Sequence, residues 1–130
     1  MKYLLDSDVV VVVLKGQTQT AHLLQALYPD GLAISVIALS ELHEGIVGSY
    51  DPRKHMRGLR RFLKGVRVLG VSRHIAERNA ELRADLRRRK RDVSFRAFDL
   101  LIAATALQHN LTLVTRNRRD YQDIPGLTLH

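Results

Sequence analysis

Phe98-Asp99-Leu100-Leu101-Ile102-Ala103-Ala104-Thr105-Ala106-Leu107 carries one charge in ten residues, a carboxylate at the start of an otherwise apolar or small run. Alanine and leucine at this density predict a helix buried on most sides. The N-terminal end of such a helix favours an anion, so on the plainest reading Asp99 complements the helix dipole. A charge on a buried element is nevertheless the informative kind of exception. The segments on either side decide between the two.

Downstream, Leu111-Thr112-Leu113-Val114-Thr115 reads as a short strand, followed at once by the polar run Arg116–Tyr121. Pro125-Gly126 makes a turn before a last short strand at Leu127–Leu129. Upstream, residues 92–97 form a loop, and residues 73–90 a long helix with Ile75, Leu82 and Leu86 inward and arginines outward. Val66–Val71 is a strand ended by the N-cap residue Ser72, and residues 53–64 form a basic amphipathic helix. Leu32–Ser35 is a strand whose last residue caps a helix carrying Val36, Leu39, Glu41, Leu42 and Ile46. Gln17–Leu27 spaces its apolar residues as an amphipathic helix stopped by Pro29 and Gly31.

At the start, Lys2-Tyr3-Leu4-Leu5-Asp6 is an apolar run ending in an acid, the pattern of a buried parallel strand at its functional edge. The valines Val9–Val13 favour a strand locally, but a strand cannot restart so soon after Asp6. Residues 8–14 are therefore read as a short helix, with tertiary context overriding propensity. Strands alternating with helices predict an α/β fold, a three-layer sandwich around a mainly parallel sheet of four to five strands. No repeat or linker divides the chain, so residues 1–130 are expected to form one domain.

Composition narrows the class. Cysteine is absent, which removes disulfides and thiolate metal sites and suits the cytoplasm. Asp6 and Asp8 interrupt the N-terminal apolar run before it becomes a signal sequence, and Val9–Leu14 is far too short to span a bilayer, so no membrane role is expected. The net charge is +8, and residues 53–91 hold 15 of the 21 lysines and arginines against three acids. A basic middle beside acids elsewhere suits a polyanion held near bound cations. The aromatic content of 5% argues against a dedicated single-strand binding module, so Phe62, Phe95 and Phe98 are read as core or loop anchors.

Three acids recur at related places: Asp6 ends the first strand, Glu41 lies on the helix after the second, and Asp99 starts a helix. Carboxyl ends of parallel strands share one sheet edge, so these acids and Thr115–Asp120 are expected to gather there. Two carboxylates about 4 Å apart repel by roughly 4 kcal/mol at an effective dielectric of 20. Three need a cation between them. Oxygen donors without cysteine point to Mg²⁺ or Mn²⁺, which polarises a phosphate and activates water for in-line attack.

These motifs together resemble a known family. Lys2-Tyr-Leu-Leu-Asp-Ser-Asp8, Ser40-Glu-Leu-His-Glu-Gly45, Phe98-Asp-Leu-Leu-Ile-Ala-Ala-Thr-Ala106 and Leu113-Val-Thr-Arg-Asn-Arg-Arg-Asp-Tyr121 are similar, in order and spacing, to the PIN domain, and most of all to VapC-type toxins of toxin–antitoxin pairs. The resemblance implies a metal-dependent endoribonuclease acting on RNA, with Asp6, Glu41 and Asp99 around Mg²⁺. It implies a homodimer neutralised by a cognate VapB-type antitoxin. Asn117 and Asp120 compete for the fourth acidic position, and Asp120, which alone carries charge, is preferred. Ser7 and Thr115 would orient ligands or water through their hydroxyls. Asn117, Arg118 and Arg119 could cap a short helix or touch the scissile phosphate, and the run Arg87–Arg91 is divided between helix-end charge and contact with the RNA backbone.

The chain departs from the family pattern at Asp8, where asparagine is usual, and in the β-branched run beyond it. Two other readings compete. Asp6-Ser7-Asp8 matches the Asp-x-Asp motif of haloacid-dehalogenase-type phosphatases, but no lysine occurs after Lys90 to complete that site. A PIN-fold module that binds RNA or a partner without cutting is the other.

Overall fold

The computed structural model describes residues 1–130. Its centre is β1 (Tyr3–Leu5), buried at every position and paired in parallel with β2 (Leu32–Ser35) on one side and β4 (Thr112–Val114) on the other. β3 (Val66–Leu69) adds to the far side of β2, giving an all-parallel sheet of order β3-β2-β1-β4. Strands buried on both faces need no alternation of polar and apolar residues, which is why β1 and β2 are almost wholly apolar.

Each crossover has a local cause. Asp6 leaves β1 with extended backbone and accepts the Ser7 amide, starting α1 (Ser7–Leu14). The valine run thus folds as the expected helix, with Val9 and Val10 in the core. After α2 (Thr18–Leu27) and a 3₁₀ turn at Tyr28–Asp30, the chain enters β2. Ser35 then accepts the Ile37 amide at 3.0 Å to cap α3 (Val36–Val47). Asp51 caps α4 (Pro52–Phe62), with proline at its first position, and Ser72 caps α5 (Arg73–Arg88). No helix is long and apolar enough to cross a membrane.

From β1 the chain steps outward to β2 and β3, then returns through α5 and α6 (Ala97–Gln108) to β4 on the opposite side of β1. Right-handed crossovers place α1–α4 over one face of the sheet and α5–α6 over the other. Packing follows that division for α1, which contacts α2, α3 and α4, and for α5, which lies along α6; α3 also meets α6, and those two helices carry Glu41 and Asp99. Because strand order reverses at β1, the crevice beyond the carboxyl ends of β1 and β4 is the topological switch point.

The segment around Asp99 behaves as its composition requires. Leu100, Ile102, Ala103, Ala104 and Ala106 are completely buried, and the Thr105 hydroxyl is satisfied by the Leu101 carbonyl one turn back. The helix begins two residues before Asp99, which leaves that carboxylate in its first turn. One contiguous cluster of 26 buried residues links α6 to the sheet and to α1–α3.

Two expectations are corrected here. β3 stops at Leu69 rather than Val71. The last strand shrinks to a single parallel bridge between Leu113 and Leu129, because only the Leu113 amide to Thr128 and the His130 amide to Leu113 reach ladder distance. The sheet therefore has four strands.

Ile102→Ala should test how far the fold relies on α6. Removing a completely buried branched side chain is expected to cost roughly 2–5 kcal/mol, read as a lower denaturant midpoint with an unchanged slope. A loss well under 1 kcal/mol would show that α6 is not held by core packing.

Candidate active site

Asp6 is the hub of the switch-point crevice, and its side chain is buried, with the residue 5% exposed. Its Oδ1 accepts the Ser7 amide at 2.8 Å. Its Oδ2 accepts two hydroxyls, Thr115 Oγ1 at 2.9 Å and the Tyr121 phenol at 3.0 Å. β4 supplies Thr115 because the Asp6 amide extends the β1–β4 ladder to the Val114 carbonyl. Tyr121 comes just after a 3₁₀ turn at Arg118–Asp120 and is itself buried.

The Tyr121 hydroxyl also lies 3.2 Å from Asp99 Oδ1. A phenol has one proton to donate, so it serves two carboxylates in turn. Burial and the two neighbouring acids push its pKa far above the ordinary tyrosine value, so it stays a neutral donor. Glu41 is held from the same side, its Oε1 accepting Ser7 Oγ at 3.2 Å.

Asp8 joins the cluster. Its Oδ2 accepts the Arg116 amide at 3.0 Å and lies 3.4 Å from Thr115 Oγ1, while Oδ1 is buried without a partner. Thr115 Oγ1 in turn accepts the Asn117 amide at 3.1 Å. The departure from asparagine at position 8 therefore adds an acid to the site wall.

The electrostatics are those of crowded, half-buried acids. Desolvation raises the carboxyl pKa of Asp8, Glu41 and Asp99. The charge of Asp6 adds to all three shifts, and Asp99 also acts on Glu41. Asp120 raises Asp99 further from the exposed 3₁₀ turn.

These groups fit a hard divalent cation. No three acidic or histidine side chains converge closely enough to enclose an ion on their own. Mg²⁺ ordinarily takes one or two carboxylates and completes its shell with water and phosphate oxygens, so a closed cage is not required. Asp6 and Asp99, drawn to one hydroxyl, are the pair suited to it, and their repulsion is the charge it would neutralise.

Of the residues singled out in the sequence, Asp6, Ser7, Glu41, Asp99 and Thr115 meet here. Asn117 contributes its backbone amide, and its side chain is exposed. Asp120 acts on Asp99 through charge, and Arg118 is exposed, its side chain making no hydrogen bond. Sequence reasoning misses Tyr121 as a site residue: a lone tyrosine closing a basic run gives no sign that its hydroxyl turns inward. It misses Arg96 as well. That guanidinium makes two bonds to Asp123, at 2.9 and 2.8 Å, and a third to the Asp120 carbonyl, clamping the 3₁₀ turn to the start of α6. Within the run Arg87–Arg91, Arg89 is occupied by Asp85 and the Asp123 carbonyl, so that position serves the fold.

Comparison with known proteins gives a consistent result. A family model described as PIN domain matches residues 3–127. The tRNA(fMet)-specific endonuclease VapC of Shigella flexneri is 28% identical over 98% of this chain and 95% of its own. Ribonuclease VapC2 of Rickettsia felis is 30% identical over 99% of this chain and 96% of its own. The crystal structure of VapBC2 from Rickettsia felis, bound to a DNA fragment from its promoter, contains a chain that superposes with a TM-score of 0.91, covering 100% of this chain and 98% of that one.

The raised carboxyls set a sign for stability against pH. Protonation is favoured in the folded state, so in chelator their contribution is present at acid pH and is lost as pH rises from the ordinary carboxyl range through the raised folded values. Asp99→Asn, which removes one charge and keeps an acceptor for Tyr121, should melt above the wild type at pH 7 and lose that advantage near pH 4. A lower melting temperature at pH 7 would contradict the repulsion.

Proposed function

The chain belongs to the PIN-domain family and, within it, to the VapC group, and on that footing we propose that it is a Mg²⁺- or Mn²⁺-dependent endoribonuclease, the toxin of a VapBC-type pair. The observation that carries the proposal is the pair Asp6 and Asp99, two buried or half-buried carboxylates sharing one tyrosine hydroxyl at the sheet's switch point.

Asp6 and Asp99 would hold the cation, with Glu41 acting through its second oxygen. A bound divalent ion supplies Lewis acidity toward a phosphate oxygen and makes a water easier to deprotonate. Thr115, Tyr121 and the Ser7 amide fix the rotamer of Asp6, so its free lone pair has one direction. Ser7 leaves Glu41 Oε2 open, and the raised pKa suits that oxygen to accept a proton from the attacking water. As the new P–O bond forms, the bond to the leaving oxygen breaks, and solvent returns a proton to the leaving group. Arg116, Arg118 and Arg119 at the rim offer charge to the RNA backbone, a contact that positions without reading sequence.

The solved VapBC relative supports pairing with a VapB-type antitoxin. A homodimer and a cytoplasmic setting belong to the same proposal. An aspartyl-phosphate mechanism at Asp6 is disfavoured, since no lysine follows Lys90 to complete such a site.

Purified protein should cleave bulk RNA or tRNA, initiator tRNA first in view of the Shigella relative, in Mg²⁺ or Mn²⁺ and not in chelator. Asp6→Asn and Asp99→Asn should each reduce cleavage by at least about a hundredfold while remaining folded. An Asp99→Asn protein that cuts at the wild-type rate would overturn the assignment. Tyr121→Phe tests the positioning role separately: it should raise the Asp99 pKa further and slow cleavage, moving the acid limb of the pH–rate profile upward. An unmoved profile would exclude Tyr121 from the site's electrostatics.

A further inference from the structure

Two phenylalanines that shortly precede Asp99 in the chain are placed as no core aromatic is. Phe98 is 51% exposed and Phe95 fully exposed. Neither is the core or loop anchor expected from the sequence, whereas Phe62 does pack against the core.

Phe95 is the third residue of a turn closed by the Arg96 amide on the Val93 carbonyl, and its φ is +62°. That left-handed backbone at that turn position favours glycine, and a bulky side chain is an outlier there. The Ser94 amide on Asp92 Oδ1 sets the entry to the turn. No buried contact of the ring recovers the strain. Strain held at an exposed residue points to a use outside the fold.

The turn has a fixed relation to the site. Arg96, next in the chain, is the residue clamped to Asp123 and to the Asp120 carbonyl, and Asp99 lies just beyond it on the first turn of α6. The same clamp ties the residue that closes the turn to the 3₁₀ segment carrying Arg118 and Arg119, both exposed. On its other side the chain arrives from Arg87, Arg88, Lys90 and Arg91, also exposed. The exposed charges that flank the rings along the chain and across the clamp are mainly cations, with Asp92 and Asp120 the exposed acids among them. A protein interface excludes charge from its centre, whereas exposed rings between cations match what single-stranded nucleic acid requires: a π-face for each base and positive charge for each phosphate.

We propose that Phe95, with Phe98, forms a stacking platform for unpaired RNA bases flanking the bond cut at the Asp6–Asp99 centre. The proposal rests on the ribonuclease reading above. Stacking is tolerant of base identity, so the platform selects unpaired over paired RNA and holds the strand in register with the carboxylates.

The test uses the whole chain and a single-stranded oligoribonucleotide carrying one 2-aminopurine, in chelator for binding and in Mn²⁺ for cleavage. Phe95→Leu should abolish the stacking quench, weaken binding by about tenfold, and raise KM more than it lowers kcat. Phe95→Trp should restore all three. Phe95→Gly should melt at or above the wild-type temperature, because glycine suits the turn, yet bind as weakly as the leucine variant. Wild-type cleavage together with unchanged quench and affinity in Phe95→Leu would overturn the platform and leave the nuclease intact. A wild-type protein that never cuts RNA but loses the quench in Phe95→Leu would instead remove the ribonuclease reading and keep the platform. Unaltered RNA binding with a changed oligomeric state, or with loss of an antitoxin complex, would reassign the turn to a protein contact and overturn the proposal.

Discussion

The structure depends on one carboxylate buried at the end of a strand. Asp6 is expensive to bury as an anion, and the fold offsets that cost with three donors taken from the start of α1, the end of β4 and the chain beyond the 3₁₀ turn. Two of those bonds join segments more than a hundred residues apart in sequence, and they do so at the edge where strand order reverses. Removing Asp6 would free the Thr115 and Tyr121 hydroxyls together, so the site and this corner of the fold are built from the same contacts.

Around that hub the remaining acids are placed at a loss. Asp99 and Glu41 are half-buried, close to Asp6 and to each other's charge, and each prefers its proton more than an exposed carboxyl would. Arg96 is committed to Asp123 and offsets the raised pKa of Asp99 only in part. Such an arrangement destabilises the empty site in proportion to what a cation would relieve. In the proposed mechanism the same feature suits Glu41 to proton transfer, so stability and chemistry would pull in opposite directions on the same residues.

Much of this is legible in the sequence because burial leaves a plain trace. The apolar runs of β1 and β2, the cap at Ser35, and an alanine-rich helix opened by Asp99 indicate the layer order and place the three acids on one edge. Val9–Val13 folds as a helix because Asp6 both ends a strand and caps α1, a constraint stronger than β propensity. The illegible part depends on side-chain direction or long-range pairing. Nothing local says that Tyr121 turns inward while Arg118 turns out, or that Arg89 and Arg96 are committed to Asp85 and Asp123 rather than to solvent. The final strand fails for a similar reason: Leu127–Leu129 has the right composition, but only one of its residues bridges to β4. Phe95 defeats a sequence reading because hydrophobicity argues for burial, and only the backbone shows it standing free.

The claim that Asp6 and Asp99 form a divalent-cation site is tested most directly by a crystal of the wild-type protein soaked in Mn²⁺ and measured for anomalous scattering. The account predicts a single peak in the switch-point crevice, bonded by oxygens of Asp6 and Asp99 and absent from Asp99→Asn crystals. A crevice without a peak at saturating Mn²⁺, or a peak that persists in Asp99→Asn, would contradict it.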